Sequence, residues 1–146
     1  MHSWIDEKSN MRAAVESTFE QITFSIVQEM RETNDTHYSS TVESYISCSF
    51  DTDQRIAFCV SIQDSFLESI VSALYPDEDN ISQYKRDAID ELANTIVGNF
   101  FRLLDEKIGD FKLSIPYHER PLSWMSNVIF NFLLDDIHPL IVTLSE

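Results

Sequence analysis

The chain has 146 residues, 43% of them hydrophobic, and a formal net charge of −15. That is enough apolar material for one domain with one core, spanning 1–146, and too acidic a surface for a nucleic-acid or anionic-membrane partner. Its start, Met1 to Glu7, lacks the basic and apolar regions of a signal peptide, and no apolar run nears the ~20 residues that cross a bilayer, so a cytoplasmic protein is expected.

In chain order, Ala14, Val15, Phe19, Ile22, Phe24, Ile26 and Met30 recur at helical spacing, which predicts a helix over residues 8–31. Asn34-Asp35-Thr36 breaks it. From Thr41 the period changes to two: Val42, Ile46, Cys48 and Phe50 alternate with Glu43, Tyr45, Ser47 and Ser49, as in a half-buried strand. A turn at Asp51-Thr52-Asp53-Gln54 leads to a second strand over 55–62, apolar on both sides and therefore central in its sheet. Cys48 and Cys59 make no C-x-x-C pair and read as small reduced hydrophobes inside these strands.

Residues 65–74 read as a short helix burying Phe66, Ile70, Val71 and Leu74, followed by an acidic loop from Tyr75 to Asn80. A long helix is predicted over 82–107, closed by Gly109. Phe111 to Ile115 reads as a strand stopped by Pro116, and 117–121 as a loop. Further strands are expected over 124–134 and 139–144, joined at Asp135-Asp136. The order α-β-β-α-α-β-β-β predicts an α+β fold: a largely antiparallel sheet with helices packed on one face.

On the long helix, Ala88, Ile89, Leu92, Ala93, Ile96, Val97, Phe100, Leu103 and Leu104 form the apolar face. At about 100° per residue, Glu91, Asn94, Gly98, Arg102 and Asp105 fall in one polar stripe. Glu91 and Asn94, three residues apart, can reach the same external group. Gly98 costs about 1 kcal/mol in a helix interior relative to Ala, which either tight helix packing or the close approach of a partner's backbone would offset. By spacing alone Glu-x-x-Asn is an ordinary solvated helix face; a second copy, Glu7-x-x-Asn10, occurs near the start.

Other chemistry is sparse. His2, His37, His118 and His138 are scattered without metal-ligand spacing. There is no Gly-x-Ser-x-Gly elbow and no Gly-rich phosphate loop. Asp77-Glu78-Asp79 reads as a solvated turn, with weak cation binding as the alternative, and Tyr117-His118-Glu119-Arg120 as an exposed hairpin connection, with the edge of a partner surface as the alternative.

The run Glu91-Leu92-Ala93-Asn94-Thr95-Ile96-Val97-Gly98-Asn99 resembles the active-site helix of the CheC/CheX-type chemotaxis phosphatases. That helix carries Glu-(Leu/Ile)-Gly-Asn with a Gly four residues after the Asn. Asp87-Ala88-Ile89-Asp90 is similar to the family's lead-in, and the element order matches a CheX-like domain over nearly the whole chain. The resemblance implies hydrolysis of the aspartyl phosphate of a CheY-like response regulator. Asn94 would orient the attacking water and Glu91 would pair with a regulator Lys, while Gly98 and Arg102 would face the partner. The Mg2+ would sit on the regulator, so no cofactor of the chain's own is implied. A homodimer joined through the sheets is implied as well. Ala93 departs from the family's Gly, and the single credible Glu-x-x-Asn helix fits the one-site CheX type. The alternatives are a non-catalytic dimeric adaptor and a structural subunit of the flagellar-switch type.

Overall fold

The alternation over Thr41–Phe50 folds as a strand because one side has a core to fill and the other has a loop to carry. The computed structural model describes residues 3–22, 30–33, 41–76, 81–104, 107–125, 128–135 and 137–146. A 3-10 turn at Trp4–Glu7 leads into α1 (Lys8–Ile22). Then follow β1 (Met30–Glu32), β2 (Thr41–Phe50), β3 (Arg55–Gln63), α2 (Asp64–Leu74), α3 (Ser82–Leu104), β4 (Phe111–Leu113), β5 (Val128–Leu134) and β6 (His138–Ser145). The strands form one sheet in the order β1-β5-β6-β3-β2-β4, and every pairing is antiparallel. The α+β architecture read from the sequence is therefore the one observed, with β3 central.

The register places Ile46 opposite Phe58, Phe58 opposite Leu144, and Leu144 opposite Val128. These side chains share one face, and all lie in the core beneath the helices. The turns suit their residues: Asp53 and Asp135 adopt positive φ (64° and 53°), a conformation that Asp tolerates better than most residues. Gly109 has φ +72°, in keeping with its predicted place just past the long helix.

Several expected boundaries are corrected. The first helix is described only to Ile22, and Met30 belongs to a strand, not to that helix. Phe24, Ile26, Asn34-Asp35-Thr36 and Asp77-Glu78-Asp79 lie outside the described residues. β1 was not anticipated: three residues carry too little alternation to register as a strand, and it forms by pairing with β5. The strand expected over Phe111–Ile115 ends at Leu113, and the one expected from Trp124 starts at Val128.

Cys48 and Cys59 are free and buried. Burial raises their thiols to about 12 and about 11 respectively, and raises the Tyr45 phenol to about 12 against the opposing Arg120 contact. In the unfolded chain these thiols ionise from about pH 8.5. Above that pH the unfolded chain releases protons that the folded chain keeps, so stability falls as pH rises. Urea midpoints are expected to drop between pH 8.5 and 11, and a Cys48→Ala/Cys59→Ala variant should show a shallower drop.

Candidate functional site

α3 is the pillar of the site because it is packed on two sides. Ile89, Leu92, Ala93, Ile96, Val97, Phe100, Phe101 and Leu104 are buried. On the side facing α1, the buried Asn99 donates from Nδ2 to Thr18 Oγ1 at 3.1 Å, and Thr18 donates to the Ala14 carbonyl at 2.7 Å. Packing on two sides explains a correction to the apolar face: Leu103 is exposed, while Phe101 and Asn99 are covered. Phe101 contacts the rings of Trp4, Phe50, Phe58, Phe100 and Phe111.

Glu91 and Asn94 are exposed on the remaining side. They line an open groove of about 460 Å3 together with Asp87, Asp90, Leu113, Ser114, Ile115 and Pro116. One wall is thus the polar stripe of α3, and the other is the end of β4 with the segment behind it. Glu91 Oε1 accepts a long contact from Thr95 Oγ1, at 3.5 Å. Gly98 and Arg102 lie further along α3 and do not line the groove; Asp105 is outside the described residues.

A Cβ built on Gly98 meets nothing within 4 Å, so packing within the described residues does not require glycine there. The other explanation, close approach by a partner's backbone, is open to a direct test. Gly98→Ala is expected to raise stability by about 0.5–1 kcal/mol while weakening partner docking. Urea titration and a binding isotherm measure the two effects, and unchanged docking would remove the close-approach reading.

The wall residues Ile115 and Pro116 were not singled out in the sequence. Ile115 is 84% exposed, and only the meeting of segments more than twenty residues apart gives it a role. The loop read as an exposed connection is held on both sides. Tyr117 exchanges backbone hydrogen bonds with Tyr45 at 2.8 and 2.9 Å, and its ring stacks on that of Tyr45. His118 reaches α3, with Nε2 2.9 Å from Asp90 Oδ1. The same Asp90 oxygen accepts from Ser44 Oγ at 2.7 Å.

The groove presents three carboxylates, Asp87, Asp90 and Glu91. Asp90 is occupied by Ser44 and His118, which leaves Asp87 and Glu91 to meet a cation. Asn94 offers the groove an uncharged amide that both donates and accepts. Among the described residues no group of three or more His, Cys, Asp or Glu is placed to hold a metal ion, and no helix is long and apolar enough to cross a membrane.

A sequence-family model described as chemotaxis phosphatase CheX matches residues 45–119. The chain belongs to the CheX family. The matched span takes in β2 from Tyr45 onward, the groove helix and both groove walls. Solved CheX structures share the fold. Chemotaxis protein CheX of Desulfovibrio desulfuricans superposes with a TM-score of 0.70 at 16% identity, covering 96% of this chain and 98% of that one. CheX of Vibrio vulnificus gives 0.69 at 14%, covering 96% and 99%. The CheX-CheY-BeF3-Mg2+ complex of Borrelia burgdorferi gives 0.68 at 17%, covering 97% of both. No curated protein matches significantly.

Proposed function

We propose that this chain hydrolyses the aspartyl phosphate of a CheY-like response regulator, with Asn94 orienting the attacking water and Glu91 docking to a regulator Lys. The observation that carries the reading is the exposed pair Glu91 and Asn94 at the mouth of an open groove, in a chain of the chemotaxis phosphatase CheX family.

The chemistry suits the residues. Water attacks phosphorus, the bond to the aspartyl oxygen breaks, and the products are a free carboxylate and inorganic phosphate. An acyl phosphate is already activated, so placing a water in line supplies much of the acceleration. An amide does this without repelling the phosphoryl oxygens, whereas a carboxylate in that place would repel them. Glu91 and Asp87 suit a Lys instead. The Mg2+ that offsets the phosphoryl charge belongs to the regulator, as the relative crystallised with CheY, BeF3 and Mg2+ supports. We expect the protein to act in the cytoplasm as a homodimer, which light scattering would measure.

With a net charge of −15, the chain gains no long-range attraction to an acidic regulator, so docking rests on short-range contacts and is weak. Ile115 supplies one of them. Ile115→Asp is expected to raise KM about tenfold, from lost apolar burial and added repulsion, with little change in kcat. An unchanged KM would remove Ile115 from the docking surface. The function itself is tested by following phosphate loss from a labelled regulator with catalytic amounts of the protein. Loss at the spontaneous rate would reject it in favour of a non-catalytic adaptor.

A further inference from the structure

We propose that His118 is a positioning residue, a proton-carrying latch that fixes the far wall of the groove against α3. The proposal rests on the function proposed above for its consequence in catalysis, but not for its structural content.

Both ring nitrogens of His118 face oxygens that only accept. Nδ1 lies 3.1 Å from the Glu43 carbonyl oxygen, and Nε2 lies 2.9 Å from Asp90 Oδ1. A neutral imidazole has one N–H and the imidazolium has two. Nδ1 is placed to donate to the Glu43 carbonyl, whereas Nε2 makes no hydrogen bond among the described residues, so only the protonated ring adds a charge attraction to Asp90. The Nε2 approach to Asp90 is short but off the line of the ring N–H, so it is a charge contact that loses its attraction when the proton leaves.

The charged and titratable groups around the ring come from three elements. Asp90 and Arg86 lie on α3, Glu43 on β2, and Tyr117, Glu119 and Arg120 flank it in its own segment. Two of these are engaged elsewhere: the Glu43 carboxylate accepts from Tyr45 Oη at 2.8 Å, and Arg120 Nε donates to the same phenol at 3.2 Å. Asp90 is the carboxylate in direct contact with His118.

The latch matters because of what it joins. Asp90 precedes Glu91 in α3, and His118 follows the wall residues Ser114, Ile115 and Pro116. On the sheet side the wall is anchored by backbone bonds from Ser114 N to Ser47 O at 2.8 Å and from Tyr117 N to Tyr45 O at 2.9 Å. On the helix side it has the contact between His118 and Asp90. Loss of that contact frees the wall to swing on its sheet anchor and widens the groove into which a regulator docks.

The test is hydrogen exchange at the Ser114 and Tyr117 amides, corrected for intrinsic chemistry, between pH 5.5 and pH 8. In the wild type, protection is expected to fall roughly fivefold as pH rises. In His118→Gln and in Asp90→Asn, which keep shape but lose the ion pair, protection should not vary with pH. With phosphorylated regulator, wild-type KM should rise over the same range while kcat for the bound complex holds, and both variants should give a flat KM. Equal pH dependence of exchange in the wild type and both variants would overturn the latch. Exchange is read without a regulator, so it decides this proposal even if no phosphatase activity is found. If His118→Gln fails to fold, Asp90→Asn carries the comparison alone.

Discussion

Asn94→Ala is expected to lower the rate of regulator dephosphorylation at saturation by about 100-fold or more, the usual effect of losing one preorganised polar group from a reacting centre. The side chain is exposed at the groove mouth, so its truncation removes no core contact and should shift the thermal midpoint by less than a degree or two. Binding of a regulator locked in its phosphorylated form should change by no more than about twofold, because Glu91, Ile115 and the backbone near Gly98 would still engage it. The contrast between kcat and affinity is the informative readout. Single-turnover measurements with labelled regulator supply both numbers, and an Asn94→Ala protein with wild-type turnover would remove the mechanism. Glu91→Ala should behave in the opposite way, with weaker docking and a smaller loss at saturation.

Phe101→Ala carries the largest expected effect on stability. Its ring centroid lies 4.7 Å from that of Phe111, 5.6 Å from Phe58, 5.7 Å from Phe100, 6.0 Å from Trp4 and 6.1 Å from Phe50. Truncation leaves a cavity at the centre of this cluster and should cost about 3–5 kcal/mol. That is a large share of the roughly 5–15 kcal/mol that holds a domain of this kind together. Urea denaturation is the measurement, and a loss below about 1 kcal/mol would mean that the cluster collapses around the gap. The substitution should also loosen the groove, because Phe111 opens the strand that leads to the far wall. Phe101→Leu, which keeps most of the volume, should fall well short of the Ala loss.

Local pattern made much of this fold legible. The switch from helical spacing to period two at Thr41 marked β2, the apolar run from Arg55 marked the central strand, and the long apolar face from Ala88 marked α3. The same reasoning failed where structure comes from distant pairing. β1 is three residues long and exists through Phe132, Leu133 and Leu134, which no window around Met30 contains. Helical spacing in the sequence runs on as far as Met30, so local pattern alone does not reveal that Met30 belongs to a strand. Glu91 and Asn94 were identifiable because one helix presents both. Ile115 and His118 were not, since Ile115 shares a groove with Asn94 and His118 meets Asp90 and Glu43 only across 21 to 75 positions of sequence. Polarity made Tyr117-His118-Glu119-Arg120 look like a free loop, but polar residues tie a segment down as readily as apolar ones when acceptors face them.

β4 is an edge strand of the sheet, opposite the β1 edge, and pairs with β2 through three residues, from Cys48 opposite Leu113 to Phe50 opposite Phe111. The groove therefore joins two parts of unequal tolerance to change. Asn94 rides on a helix wedged between the sheet and α1, where most substitutions cost folding. Ile115 and Pro116 lie beyond the end of an edge strand, between the backbone anchors at Ser114 and Tyr117, and the exposed Ile115 side chain can be replaced with little loss of packing. Under the proposed function, exchange of Ile115 and Pro116 is expected to alter partner choice while Asn94 stays in place, which makes this short segment the one to vary in retargeting the protein to a different regulator.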